Sequence, residues 1–128
     1  MDSILLDTHI FIWLAEDDSN LPVSIRDAIE NTDNVFVSIA RFWEISIKIK
    51  IAKLSLLSDF NDIESSFEST RFKLLPISLK DTIQLCNLPL YHKDPFDRIL
   101  VAQAINHSLV LISRDPAFDA YPIQRLWS

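Results

Sequence analysis

At 128 residues, 48% of them hydrophobic, the chain is long enough for one hydrophobic core and too apolar to be disordered. Its net charge of −6 is far from the basic profile of proteins held on nucleic acid by phosphate contacts, so a nucleic-acid substrate would require bound metal and a local basic patch. With no glycine and a single cysteine, glycine-rich phosphate loops and an intrachain disulfide are both excluded.

Residues 3–6 read as a short buried strand that begins almost at once, with no basic segment of a secretory signal before it. Residues 8–15 are apolar at most positions and predict a helix, stopped near Glu16-Asp17-Asp18. A second helix is expected over 22–32, with Pro22 in its first turn, and a strand over 34–38. Residues 59–69 carry Phe60, Ile63 and Phe67 at helical spacing. A strand broken by Pro76 follows over 72–77, then a helix over 78–88 capped by Ser78. Asp94-Pro95 introduces a helix over 95–107. The last two strands are expected over 109–113 and 123–127. No apolar run approaches the ~20 residues of a membrane span, so a cytoplasmic protein of one domain, residues 1–128, is expected. Alternating strands and helices imply an α/β fold with a parallel sheet sandwiched by helices. Without glycine, Asn, Asp, Pro and Ser must end the helices. Cys86 reads as a small buried apolar residue.

Residues 39–54 support two readings. Ile45, Ile47, Ile49 and Ile51 alternate with Ser46, Lys48 and Lys50, the pattern of a β-branched strand. As a helix, the same residues give one stripe of Ala40, Trp43, Ile47, Ile51 and Leu54 and a second of Phe42, Ile45 and Ile49. Arg41, Glu44 and Lys48 lie between them. The length of the segment and its lack of turn residues favour helix. The second stripe is then a surface for another chain.

Four carboxylates stand where one element passes into the next. Asp7 and Asp115 each follow a predicted strand, and Glu44 and Asp97 lie in early turns of helices. In an open parallel sheet ligands collect outside the carboxyl ends of the strands, so the four can share one edge. Oxygen-only ligands suit Mg²⁺ or Mn²⁺, which support in-line displacement at phosphorus. Without a cation the four would repel one another. Three also have structural explanations. Asp94 reads as a helix cap with Asp97 three residues on. Asp115-Pro116 repeats the capping pattern, and Glu44 can pair with Lys48 or Arg41. Asp7 has no such explanation, because an acid directly after a buried strand costs solvation unless it is paired. Arg41, Lys48, Lys50, Lys53, Arg71, Lys73, Arg98 and Arg114 could form a basic patch or an ordinary solvated surface. His107 reads as a partner of a helix C-terminus, and His92 as a loop residue or a contact to substrate phosphate. The three histidines and one cysteine are too few for a zinc site of familiar spacing.

Four stretches carry a family resemblance: Leu5-Leu6-Asp7-Thr8-His9; Phe42-Trp43-Glu44-Ile45-Ser46-Ile47-Lys48; His92-Lys93-Asp94-Pro95-Phe96-Asp97-Arg98 with the helix that follows; and Leu111-Ile112-Ser113-Arg114-Asp115. In this order the chain resembles a PIN-domain protein, specifically a VapC-type toxin ribonuclease of a type II toxin–antitoxin pair. The resemblance implies a three-layer α/β/α fold and a Mg²⁺ or Mn²⁺ site. Asp7, Glu44 and Asp97 match its central acids, and Asp115 a supporting one. Thr8 and Ser113 match positions where a hydroxyl supports the cluster, with Asp94 and Lys48 as further supporting residues. It also implies an RNA substrate, transfer RNA among the possibilities, a homodimer, and a cognate antitoxin over the active site. It assigns residues 39–54 to a helix. One departure is Ala52, where relatives often carry glycine.

Other function classes fit less well. An aspartyl-phosphate phosphatase places a second Asp two residues after the first, where this chain has His9. A phospho-receiver needs an Asp on a middle strand, and the strand over 34–38 ends in Ser38. A catalytically inactive PIN-like protein-binding module keeps the fold and gives up the chemistry.

Overall fold

The computed structural model describes residues 2–128. Its five strands are β1 (Ser3–Leu6), β2 (Asn34–Ser38), β3 (Lys73–Leu75), β4 (Val110–Ile112) and β5 (Arg125–Leu126). They form one fully parallel sheet in the order β3-β2-β1-β4-β5. The helices are α1 (Thr8–Ala15), α2 (Val23–Glu30), α3 (Ile39–Lys50), α4 (Ile63–Glu68), α5 (Leu79–Asn87) and α6 (Pro95–His107). Short 3-10 turns occupy Phe60–Asp62 and Pro116–Ala120. The parallel sheet sandwiched by helices that the alternation of elements predicts is the fold observed.

β1 is central, and its side chains show why the sandwich has two apolar faces. Ile4 and Leu6 pack with Ile10, Phe11, Ile25 and Ile29 of α1 and α2, whereas Leu5 packs with Leu100, Val101 and Ala104 of α6. Successive strand residues point to opposite faces. A strand covered on both sides must therefore be apolar throughout, and each such side chain contributes about 1.5–3 kcal/mol. From β1 the chain builds outward to β2 and β3 on one side and to β4 and β5 on the other. The reversal opens a crevice at the carboxyl ends of β1 and β4, the switch point of the sheet.

Segment 39–50 is helical, so the alternating pattern is overridden. Ser38 caps α3 by accepting from the Ala40 amide at 3.2 Å. The two stripes are both divided between core and surface. Ile45 is buried and Phe42 packs against Phe11 and Phe67, so the expected docking stripe turns partly into the core, while Phe42 and Ile49 stay half-buried. The exposed side is Trp43, Ile47 and Ile51. The cause is the rotation of α3 about its axis: Arg41 and Glu44 both point inward and are buried. Cys86 is exposed rather than buried, because α5 lies on the outside of α6 with Leu79 and Ile83 also open to solvent. The basic side chains are neither one patch nor all solvated. Arg71 donates to the carbonyls of Thr32, Ile29 and Glu30, and Arg98 to those of Pro89, Leu85 and Leu88.

The lack of glycine leaves a visible cost. Asp17, Ala52 and Ser108 all adopt positive φ. Asp and Ser were expected to end helices, but Ala52 was not. At the end of α3 the Lys53 amide donates to the Lys48 carbonyl at 2.8 Å and the Ala52 amide to Ile49 at 3.1 Å. That pair of bonds requires a left-handed residue at position 52, where the φ of 59° crowds the alanine Cβ. Ala52→Gly should therefore raise stability by about 1 kcal/mol in urea denaturation. An unchanged or lowered midpoint would refute the strain.

Candidate active site

The crevice at the switch point holds a pocket of about 390 Å³ that contains Asp7, Glu44, Asp94, Asp97 and Asp115 together with Arg41, Lys48 and Arg114. Four separate segments deliver them. Asp7 ends β1 and caps α1, accepting from the Thr8 amide at 2.8 Å. Asp7 thus has the structural role that the sequence did not suggest for it. Asp94 caps α6 by accepting from the amides of Phe96 and Asp97, at 2.8 and 3.3 Å, which places Asp97 in the first turn. Asp115 follows β4 and caps the 3-10 turn through the Ala117 amide at 2.9 Å. Glu44 lies in the second turn of α3, buried at 4% exposure.

Arg41 holds the inner acids together. Its guanidinium is 1% exposed. Nη1 donates to Glu44 Oε1 at 2.7 Å, and Nη2 lies 3.0 Å from Asp7 Oδ1 and 3.5 Å from Asp97 Oδ1. The remaining oxygens of Asp7 and Glu44 are also occupied. Thr8 Oγ1 donates to Glu44 Oε1 at 2.6 Å, Lys48 Nζ to Glu44 Oε2 at 2.7 Å, and Ser113 Oγ to Asp7 Oδ2 at 2.7 Å. The outer acids are less engaged. Asp97 meets only Arg41 among the described basic side chains, and Asp115 Oδ2 has His92 Nε2 at 3.9 Å.

Burial pushes the Glu44 carboxyl up, but the charge of Arg41 and the hydrogen bonds from Lys48, Thr8 and Arg41 outweigh it, so the group is held below its ordinary range. For Asp97 burial wins. It is pushed up to about 6, against the pull of Arg41 and His92 and with the help of the negative charges of Asp94 and Asp7. Five carboxylates and three cations line the pocket, a formal excess of two negative charges. That excess and the oxygen donors suit one divalent cation.

The structure thus brings Asp7, Glu44, Asp97 and Asp115 together, with Thr8, Ser113, Asp94 and Lys48 around them. Sequence reasoning missed the place of Arg41. The available signal was an arginine between two apolar stripes, three residues before Glu44, on a helix that must be covered on both sides. Trp13 at the pocket was missed too, whereas Arg114 stood among the basic-patch candidates. Arg114 lies 5.1 Å over the Trp13 ring, and His9 stacks on Trp13 at 5.7 Å.

A family model for the PIN domain matches residues 4–124. The chain belongs to the PIN-domain family. Over 123 residues this PIN domain is 25% identical to Ribonuclease VapC22 of Mycobacterium tuberculosis, covering 90% of this chain and 88% of that one. Its fold is similar to a chain in the crystal structure of VapBC2 from Rickettsia felis bound to a DNA fragment from their promoter, at TM-score 0.70 and 16% identity over 97% of each chain. It is also similar to a chain of DNA-bound VapBC from Salmonella typhimurium, at TM-score 0.68 and 21% identity over 98% of each. FitAcB from Neisseria gonorrhoeae gives TM-score 0.67 and 20% identity over 96% of each.

Two outcomes follow for the metal-free PIN domain. Arg41→Met strands buried carboxylates without their counter-charge and should cost about 3 kcal/mol at pH 7. The loss should shrink on acidification as the acids take up protons, and a pH-independent loss would mean that only packing was removed. Asp97, with its carboxyl pushed up to about 6, keeps its proton in the folded state over a range where the unfolded chain, with a pKa of ~3.9, has lost it. Its contribution to stability therefore falls as pH rises from about 4 through 6. Asp97→Asn should be the more stable protein at pH 8 and equal to the parent below about pH 4, as read from paired denaturation curves across pH.

Proposed function

We propose that this chain is the toxin of a VapC-type toxin–antitoxin pair, an endoribonuclease that hydrolyses RNA phosphodiester bonds at an acidic site for Mg²⁺ or Mn²⁺. One observation carries the proposal: four acids remote in sequence share one pocket at the sheet's switch point, and with Asp94 they leave it an excess of two negative charges. Similarity to Ribonuclease VapC22 supports the activity, and similarity to chains in VapBC complexes supports an antitoxin partner.

Asp7, Glu44, Asp97 and Asp115 would hold the cation. When bound, it would acidify a water and offset the charge that builds on the phosphoryl oxygens. The chain's own residues do the rest. Arg41, Thr8 and Ser113 orient the inner carboxylates. A carboxylate takes the proton of a water whose oxygen bonds to phosphorus as the bond from phosphorus to the 3′-oxygen breaks; that oxygen takes up a proton from solvent, and the ends are 5′-phosphate and 3′-hydroxyl. Lys48 and Arg114 at the pocket meet the RNA backbone, while Trp13 and His9 present rings on which a base can stack. The apolar groove of about 360 Å³ lined by Ile39, Phe42, Ile63, Phe67 and Leu74 is where an apolar segment of the antitoxin would lie. The exposed Trp43, Ile47 and Ile51 of α3 would meet that partner or a second copy in a homodimer. Among the described residues no helix is long and apolar enough to cross a membrane, and the RNA substrate proposed here supports a cytoplasmic protein.

One observation favours a second reading, an inactive partner-binding module. The Arg41 guanidinium already supplies positive charge among the acids. A single set of experiments separates the two. Total and transfer RNA are incubated with Mg²⁺ or Mn²⁺ and either the parent protein or Asp7→Asn, and melting is followed with and without metal. The nuclease reading expects cleavage that falls by at least about 100-fold in the variant. It also expects stabilisation by metal of about 2.7 kcal/mol at a hundredfold excess over Kd. No cleavage and no stabilisation would establish the inactive module. Equal cleavage by the two proteins would remove the acidic pocket from the chemistry.

A further inference from the structure

Beside the acids lies a nitrogen donor that the acidic-site reading leaves unused. His92 Nε2 is buried and has no hydrogen-bond partner among the described residues, and the side chain is only 10% exposed. The ring is firmly held. It stacks on Phe118 at 4.9 Å and on Tyr121 at 5.4 Å. The His92 amide donates to Tyr121 Oη at 2.9 Å, and Nδ1 lies 3.3 Å from the same oxygen. Tyr121 is itself buried. With Nδ1 turned to the phenol, Nε2 faces the acids, 3.9 Å from Asp115 Oδ2. One ligand atom each from His92, Asp97 and Asp115 lie within 4.8 Å of one another.

We propose that His92 is a nitrogen ligand of the cation site, acting with Asp97 and Asp115. The inference rests on the reading of the pocket as a divalent-cation site and names a ligand that reading does not contain. Three observations carry it. Both oxygens of Asp7 and of Glu44 already accept hydrogen bonds from the protein, whereas Asp115 Oδ2 and Asp97 are less engaged. The open donor capacity is therefore on the outer side of the pocket, where His92 stands. Ligand atoms around an ion with bonds of ~2.1 Å fall roughly 3–4 Å apart, and the 3.9 Å from Nε2 to Asp115 is in that range. Finally, metal-bound histidines usually have their second nitrogen tied to a partner that sets the ring orientation, the position Tyr121 occupies here. A mixed nitrogen and oxygen set favours a transition-metal dication over Mg²⁺.

Pulsed EPR of the full chain loaded with Mn²⁺ reads the ligand directly, without reference to RNA cleavage. The parent should show nitrogen modulation of the Mn²⁺ echo, and ¹⁵N-histidine labelling should change it to the ¹⁵N pattern. The chain has three histidines, so His9→Gln and His107→Gln should keep the modulation. His92→Gln should lose it and bind Mn²⁺ at least about tenfold more weakly. Should His92→Gln fail to fold, the labelled parent and the other two variants still assign the nitrogen. Bound Mn²⁺ with no histidine nitrogen, or modulation that persists in His92→Gln or vanishes in His9→Gln, overturns the inference and leaves the acidic metal site standing. No Mn²⁺ binding at all overturns both.

Discussion

The arrangement depends on one buried charge. A parallel sheet with a switch point draws the ends of β1, β2 and β4 toward one crevice, and this chain places acids there. Carboxylates brought together out of water repel and must be compensated. Arg41 does this from within α3, touching Asp7, Glu44 and Asp97 from an almost fully buried position. A guanidinium suits the task because its planar fork addresses several oxygens at once and stays charged when buried. The arrangement is not by itself a source of net stability, since desolvation offsets much of the attraction. Its effect is to hold the acids in one geometry.

That contact propagates outward. For Arg41 and Glu44 to point into the crevice, α3 must turn so that Phe42 and Ile45 enter the core. Trp43, Ile47 and Ile51 are then left in solvent. Helical spacing then sets Lys48 beside Glu44, one turn further on, at the same crevice. The site and the exposed apolar surface are thus two results of one helix orientation. The pocket in turn has an inner side with bonded acids and an outer side where Asp97, Asp115 and His92 keep donor atoms open.

Much of this was legible in the order of residues. Ile4-Leu5-Leu6 reads as a strand covered on both faces, and Asp94-Pro95 starts α6 with a cap and a proline as local chemistry requires. Ser78 caps α5 in a reciprocal pair with Asp81, again a short-range pattern. Asp7, Glu44, Asp97 and Asp115 could be nominated because each borders a predicted element. The failures were of another kind. Cys86 and the stripes of α3 were misplaced because the exposed face of a helix depends on its neighbours. The cap at Asp7 is different: it is a contact with the very next amide, a short-range pattern that the sequence already contains.

By itself the sequence determined the alternation of strands and helices, the caps and the acids at element ends, since all are set by interactions within a few residues. The left-handed turn at Ala52 belongs partly here, because a chain without glycine must end some helices at a cost. Only the tertiary structure decided which face of α3 is buried, that Arg41 lies among the acids, and that Nε2 of His92 is left open beside Asp97 and Asp115. These depend on pairs separated by tens of residues. A side chain's charge state and partners follow from what surrounds it in space, which the linear pattern does not contain.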